Sequence, residues 1–238
     1  MKIYNRLRVA RIVLQLIFNP KRTDLIFKGV QIVSEDGDQK IFNVIENRFA
    51  ENQEFQKMFA ERYNPDPPTV QQLSRYADGT FGKALYHHLH NNNLSLELFP
   101  RFEWRRPVEY LSLRVYQDHD LWHVLTGLGI SLDEELVLQA FGVAQFGSPI
   151  STLLVAGGLL HLIWKSPLKA VEALGKVSAG YQLGLQANSL MGIRLHDLFE
   201  RQLNDVQELC GLTVAAKVSE LKGPEMQSQP RIGVGIPV

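Results

Sequence analysis

The chain has 238 residues, 45% of them apolar and 21% charged, which excludes a disordered polymer and lets a core form without disulfides or a structural metal. Twenty-five Lys and Arg balance twenty-five Asp and Glu, so no global basic field points to a nucleic-acid partner. The one cysteine, Cys210, cannot close an internal disulfide and fits a reducing compartment as a core residue.

Residues 1–30 carry Lys2, Arg6, Arg8, Arg11, Lys21, Arg22 and Lys28 against Asp24 alone. The spacing predicts a basic amphipathic helix over 1–18, with Leu7, Ala10, Leu14 and Ile17 on one side and Arg8, Arg11 and Gln15 on another. Such a helix can dock on a core with a solvated basic edge, lie on anionic lipid, or do both. The stretch is broken by Arg11, stops at Pro20 and has no small-residue cleavage site, which argues against a secretory signal. It is Arg-rich but poor in Ser, a weak match to a mitochondrial presequence.

Helical periodicity then runs almost unbroken. Residues 39–62 place Ile41, Val44, Ile45, Phe49, Phe55, Met58 and Phe59 at spacings of mostly three and four, and the NPDPP at 64–68 ends the run. After DGTFG at 78–82 a helix leads into YHHLHNNN, where three asparagines close it and cationic histidines suit the helix end. Pro107 opens the next helix, with Val108, Leu111, Val115 and Leu125 on apolar positions, and Gly127 and Gly129 close it. Ser131 with Glu134 forms a capping-box pattern for the helix that follows. From Leu136 to Trp164 there is no Asp, Glu, Lys or Arg. The FGSP at 146–149 splits that run into two pieces, each too short to span a bilayer, so two buried helices are predicted. Helices apolar on nearly every side need a thick core, a partner subunit or a bound lipid to cover them. Residues 167–187 and 195–209 read as two more helices. No segment alternates as a strand does, so the expected fold is all-α: a single-domain multi-helix bundle over 1–222 with an apolar cavity, and a Pro/Gly-rich tail at 223–238.

The chemistry concentrates in QDHDLWHVLTGLGISLDEEL, 117–136. At about 100° per residue, His119, His123 and Asp120 share one arc of a helix, within reach of a common point. Imidazole and carboxylate together suit zinc or ferrous iron. The turn at 127–131 returns the next helix alongside with Asp133, Glu134 and Glu135. Because a capping Ser131 commits Glu134, Glu135 is the carboxylate free to turn inward as a fourth ligand. Trp122 lies on another face and reads as packing. Arg114, one turn earlier, can reach an anionic head group or phosphate, or pair with an acid.

The run H-D-x-x-H, eleven residues, then E, filled by His119, Asp120, His123 and Glu135, resembles the metal motif of the coenzyme Q biosynthesis protein four family. HDLWHVLTGL at 119–128, ADGTFGKALYHHLHNNNLS at 77–95 and the segment 180–212, with its Glu-Arg-x-Leu at 200–203, resemble that family in the same order. The resemblance implies an all-helical, dimeric protein at a membrane surface, working with other quinone-synthesis proteins. It implies a divalent metal, zinc, beside a cavity for the isoprenoid tail of a quinone precursor. It also implies either a scaffold or an oxidative decarboxylation that exchanges a ring carboxyl for a hydroxyl. The uncharged 136–164 run suits the tail. The weak presequence favours a bacterial member at the inner face of the plasma membrane over a mitochondrial one on the matrix side.

Two rivals remain open at the sequence level. An HD-type phosphohydrolase would use His87, His88 or His90, then His119-Asp120, then Asp197. A non-catalytic lipid-binding scaffold would use the same metal ligands as a clamp. A di-iron carboxylate bundle needs a second Asp/Glu-x-x-His, which the chain lacks.

Overall fold

The computed structural model describes residues 2–18, 25, 28–29, 32, 39–95 and 103–212. It is all-α, with no β-strand among those residues. The expected tail at 223–238 lies outside them. Among the described residues the α-helices are, in order, α1 Ile3–Phe18, α2 Gln39–Ala50, α3 Gln53–Ala60, α4 Val70–Ser74, α5 Phe81–Asn91, α6 Pro107–Thr126, α7 Leu132–Phe146, α8 Pro149–Lys165, α9 Pro167–Gln186 and α10 Leu203–Leu209.

Their ends follow local chemistry. Pro107 begins α6 and a left-handed Gly127 (φ 69°) terminates it. Gly147 (φ 68°) ends α7, and the Ser148 side chain caps α8 ahead of Pro149. The single helix expected over 39–62 is two. Asn52 accepts from the Phe55 N–H at 2.9 Å and starts α3 afresh, a cap that stops the periodic pattern from running through. Residues 195–209 also depart from one helix. Leu195–Leu198 is a 3₁₀ turn, and the chain then turns through 199–201, with Arg201 N–H donating to the Leu198 carbonyl at 2.9 Å, against the start of α5. There Phe81 N–H donates to the Arg201 carbonyl at 2.8 Å and Gly82 N–H to that of Phe199 at 2.9 Å. Those bonds satisfy first-turn amides of α5, so tertiary pairing overrides the helical pattern.

A large apolar cluster joins α2, α3, α5, α6, α7 and α10, with Phe55, Met58, Leu85, Leu113, Leu121 and Phe141 among its members. Cys210 belongs to it, as expected. A smaller cluster joins Leu136 and Ala140 of α7, Leu162 of α8 and Ala170, Ala173 and Val177 of α9. Gln145, a polar residue on buried α7, donates to the Gly184 carbonyl at 2.7 Å and accepts from the Leu190 N–H at 3.0 Å.

Helices α7 and α9 touch backbone to backbone. A Cβ on Gly180 would lie 2.5 Å from the Val137 carbonyl oxygen, and one on Gly184 would lie 2.6 Å from that of Phe141. Gly184→Ala is therefore expected to destabilise the fold by about 1–3 kcal/mol, because backbone cannot move aside as a side chain does. Denaturant unfolding measures this; an unchanged midpoint contradicts the contact.

The 136–164 run behaves only partly as expected. No helix among the described residues is long and apolar enough to cross a membrane, and α7 is buried. Helix α8, however, leaves Leu153, Leu160, Ile163 and Trp164 exposed, and α9 continues that surface with Leu168, Val171 and Leu174. Helix α1 lies on α8, with Phe18 meeting Trp164 edge to face at 6.4 Å. The side of α1 expected to dock is turned outward: Leu7 and Leu14 are exposed, while Val9, Ile12 and Val13 are half-buried.

Candidate metal centre

The turn at 127–131 brings side chains from the first turn of α7 back to those of the last two turns of α6, so that Glu135 meets His119 and His123, although the two helices do not pack along their lengths. Ser131 takes the N-cap backbone conformation, but its hydroxyl does not accept from the helix. It donates to Asp133 Oδ1 at 2.9 Å and to Glu134. The other oxygen of Glu134 accepts from the Gly129 N–H at 3.0 Å. Glu134 is thus held in the turn, and Glu135, next along, faces α6.

There Glu135 meets both histidines. Its carboxylate is 3.1 Å from His123 Nε2 and 3.7 Å from His119 Nε2, and one ligand atom from each of the three residues lies within 4.8 Å of the others. Donors bound about 2.0–2.1 Å from an ion at tetrahedral angles are roughly 3.4 Å apart. The two separations, to Oε1 for His123 and to Oε2 for His119, straddle that value, and the donor types suit a divalent ion.

The electrostatics couple the three residues. Burial pushes the Glu135 carboxyl up, but His119 and His123 beside it more than offset this and hold it well below the usual range. Burial pushes His123 down, and the Glu135 carboxylate and the Leu128 carbonyl together reverse it, leaving the imidazole raised. His123 Nδ1 sits 3.1 Å from the Leu128 carbonyl oxygen and must donate to it, since a carbonyl only accepts. That bond fixes Nε2 as the nitrogen presented to the centre, the arrangement usual behind a metal-bound histidine. Trp122 packs on Phe146 (4.8 Å, stacked), as its place on α6 predicts, and also meets the His119 ring edge to face at 6.1 Å.

Two expected residues are placed elsewhere. Asp120 is outside the three-residue group, its Oδ1 4.0 Å from His88 Nε2 on α5. Arg114 does not reach toward a head group. It is fully buried, ion-paired to Asp118 at 2.7 Å and donating to the Ile193 carbonyl at 3.1 Å. Its alternative, pairing with an acid, is the one realised, though in the core. Asp118 also faces His196 Nε2 at 3.1 Å; burial raises its carboxyl, and Arg114 and His196 together bring it below its ordinary value. Asp197 accepts from the Tyr63 hydroxyl at 2.9 Å and stands apart from the three-residue group, so the triad needed by the HD-type reading is not assembled.

His88 is the residue the sequence reading underweighted. His87 and His90 are exposed around Tyr86, as a solvated helix end would have them. His88 points inward and stacks on His123, ring centroids 5.1 Å apart. Its position one turn before the end of α5, between Leu85 and Leu89 of the apolar cluster, was the available signal.

The family described as Coenzyme Q (ubiquinone) biosynthesis protein Coq4 matches residues 6–216. The chain belongs to the Coq4 family. Among Coq4 relatives, the mitochondrial ubiquinone biosynthesis protein COQ4 homologues of Bos taurus and Homo sapiens are 22% and 23% identical over 201 residues. Each of these alignments covers 83% of this chain and 74% of the relative. A mitochondrial COQ4 of Mycosarcoma maydis is 25% identical over 157 residues, 64% of this chain and 42% of its own length. A crystal structure from Nostoc punctiforme, described as a ubiquinone biosynthesis protein, superposes with a TM-score of 0.74 at 21% identity. It covers 87% of this chain and 98% of that one, and it shares the Coq4 fold.

Proposed function

We propose that this Coq4-family chain is a metal-dependent, isoprenoid-binding protein of ubiquinone-type biosynthesis. Its substrate class is a polyprenylated aromatic acid, and its reaction is the oxidative loss of the ring carboxyl in favour of a hydroxyl. The observation that carries the reading is the convergence of His119, His123 and Glu135 on one point. Those three residues would hold the ion, zinc by donor chemistry, with Asp120 as the fourth donor. When bound, such an ion supplies Lewis-acid polarisation of a carboxylate or phenolate oxygen.

The surroundings suit a lipid substrate. Leu136, directly after Glu135, packs against Gly158 of α8 in the smaller apolar cluster. Beyond it lies the exposed apolar surface of α8 and α9, larger than scattered single residues on a soluble face. Exposed Leu7, Leu14 and Phe18 on α1 alternate with exposed Arg6, Arg8 and Arg11, a pattern that supports contact with an anionic membrane surface. A polyprenyl tail gains about 0.8 kcal/mol per buried methylene-sized unit, so retention is expected to rest mainly on the tail.

The test uses the protein loaded in parallel with zinc and with ferrous iron, in detergent micelles with a prenylated aromatic acid, dioxygen and a two-electron reductant, so that one oxygen atom enters as the hydroxyl and the other leaves as water. The wild type is expected to retain the acid and release its carboxyl as carbon dioxide. Glu135→Ala is expected to keep retention and lose release. Retention without release by the wild type would favour the non-catalytic scaffold, and neither would contradict both.

A further inference from the structure

We propose that His88 is a positioning residue of the metal centre: its Nε2–H holds the Asp120 carboxylate toward the ion and so sets metal affinity. This rests on the metal-binding reading above and adds to it a residue outside the H-D-x-x-H…E pattern, from a third helix.

Three observations converge on it. First, His88 Nε2 is a buried polar atom with no hydrogen-bond partner. Buried ring nitrogens are almost always satisfied, and an orphan at the edge of a ligand cluster needs a reason. Second, the polar group it faces is Asp120 Oδ1, at 4.0 Å. That is too long for a hydrogen bond; about 1 Å of side-chain movement brings it into range. Asp120 has no place in the three-residue group as it stands. A carboxylate that swings to offer one oxygen to the ion needs a donor for the other, and His88 is the donor available on that side. Third, the His88 ring lies nearly parallel to that of His123, 21° apart, so α5 braces one ligand while its nitrogen addresses another. Metal-bound carboxylates are held by such outer partners, whose removal typically lowers metal affinity 10–100-fold.

The alternative is that His88 is a packing residue whose ring alone matters. His88→Phe keeps a ring on His123 and removes the N–H; His88→Gln keeps a side-chain N–H donor and removes the ring. Zinc affinity is measured by chelator competition, together with the visible spectrum of the cobalt-substituted protein and a circular-dichroism melt as a folding control. The expected result is a 10–100-fold loss of zinc affinity and an altered cobalt spectrum in His88→Phe, with His88→Gln within a few-fold of wild type. Equal affinity in His88→Phe and wild type overturns the proposal, as does an equal loss in both variants. If His88→Phe does not fold, His88→Leu against His88→Gln reads the same difference. A wild type that binds neither zinc nor cobalt would instead overturn the metal reading itself.

Discussion

Arg114→Met is expected to destabilise the protein by about 3–5 kcal/mol, because it leaves the fully buried Asp118 carboxylate without its partner. For a domain of this size that is a fall in melting temperature of roughly 6–20 °C. The penalty comes from an uncompensated charge rather than from lost packing, since Met fills much of the volume of Arg. A second change that removes the charge is therefore expected to restore stability. Asp118→Asn added to Arg114→Met keeps an acceptor for His196 and is expected to recover more than about 1 kcal/mol, giving a coupling energy well above the additive range for independent sites. A melting temperature of Arg114→Met within about 2 °C of wild type would contradict the core role. The same network explains why this arginine cannot serve an external anion: moving its guanidinium out would strand Asp118 and abandon the Ile193 carbonyl.

Zinc is expected to raise the melting temperature of the wild type and not of Glu135→Gln. A ligand that binds only the folded state, present at about one hundred times its dissociation constant, stabilises by about 2.7 kcal/mol. At this chain length the shift is about 5–10 °C. Glu135→Gln keeps the shape and an acceptor oxygen for His123, so it is expected to fold, but the amide is a poor ligand and adds no negative charge. His123→Ala is expected to lose the response as well, and with it the bond that ties α6 to the Leu128 carbonyl. An undiminished zinc shift in Glu135→Gln would mean that the ion binds elsewhere.

The elements that position the centre were legible because their boundaries are written in local chemistry. Pro107, Gly127, Gly147 and Pro149 each fix a helix end whatever the rest of the chain does. The choice of Glu135 over Glu134 followed from the same kind of reasoning. Glu134 is indeed held in the turn, although by the Gly129 N–H and the Ser131 hydroxyl and not by a reciprocal capping box. What was not legible depends on partners distant in sequence. The outward turn of Leu7 and Leu14 reflects how α1 lies on α8, and an apolar stripe does not say what covers it. The turn at 199–202 exists because α5 offers unpaired amides there. Arg114 lies one helical turn before Asp118, a pair visible in the sequence, but the burial that turns it from a surface ion pair into a core element comes from Met58, Tyr63 and Ile193. His88 shares the apolar side of α5 with Leu85 and Leu89, which marks it as inward, but its arrival at the centre comes from the packing of α5 on α6.

The most direct test of the metal centre is the metal-to-protein ratio of the natively purified chain, by elemental analysis, beside His119→Ala, His123→Ala and Glu135→Ala. Near-stoichiometric zinc or iron is expected in the wild type, and its loss in all three variants, each still folded by circular dichroism. A wild type that carries no metal and takes up none on loading, or variants that keep it, would contradict the proposed centre.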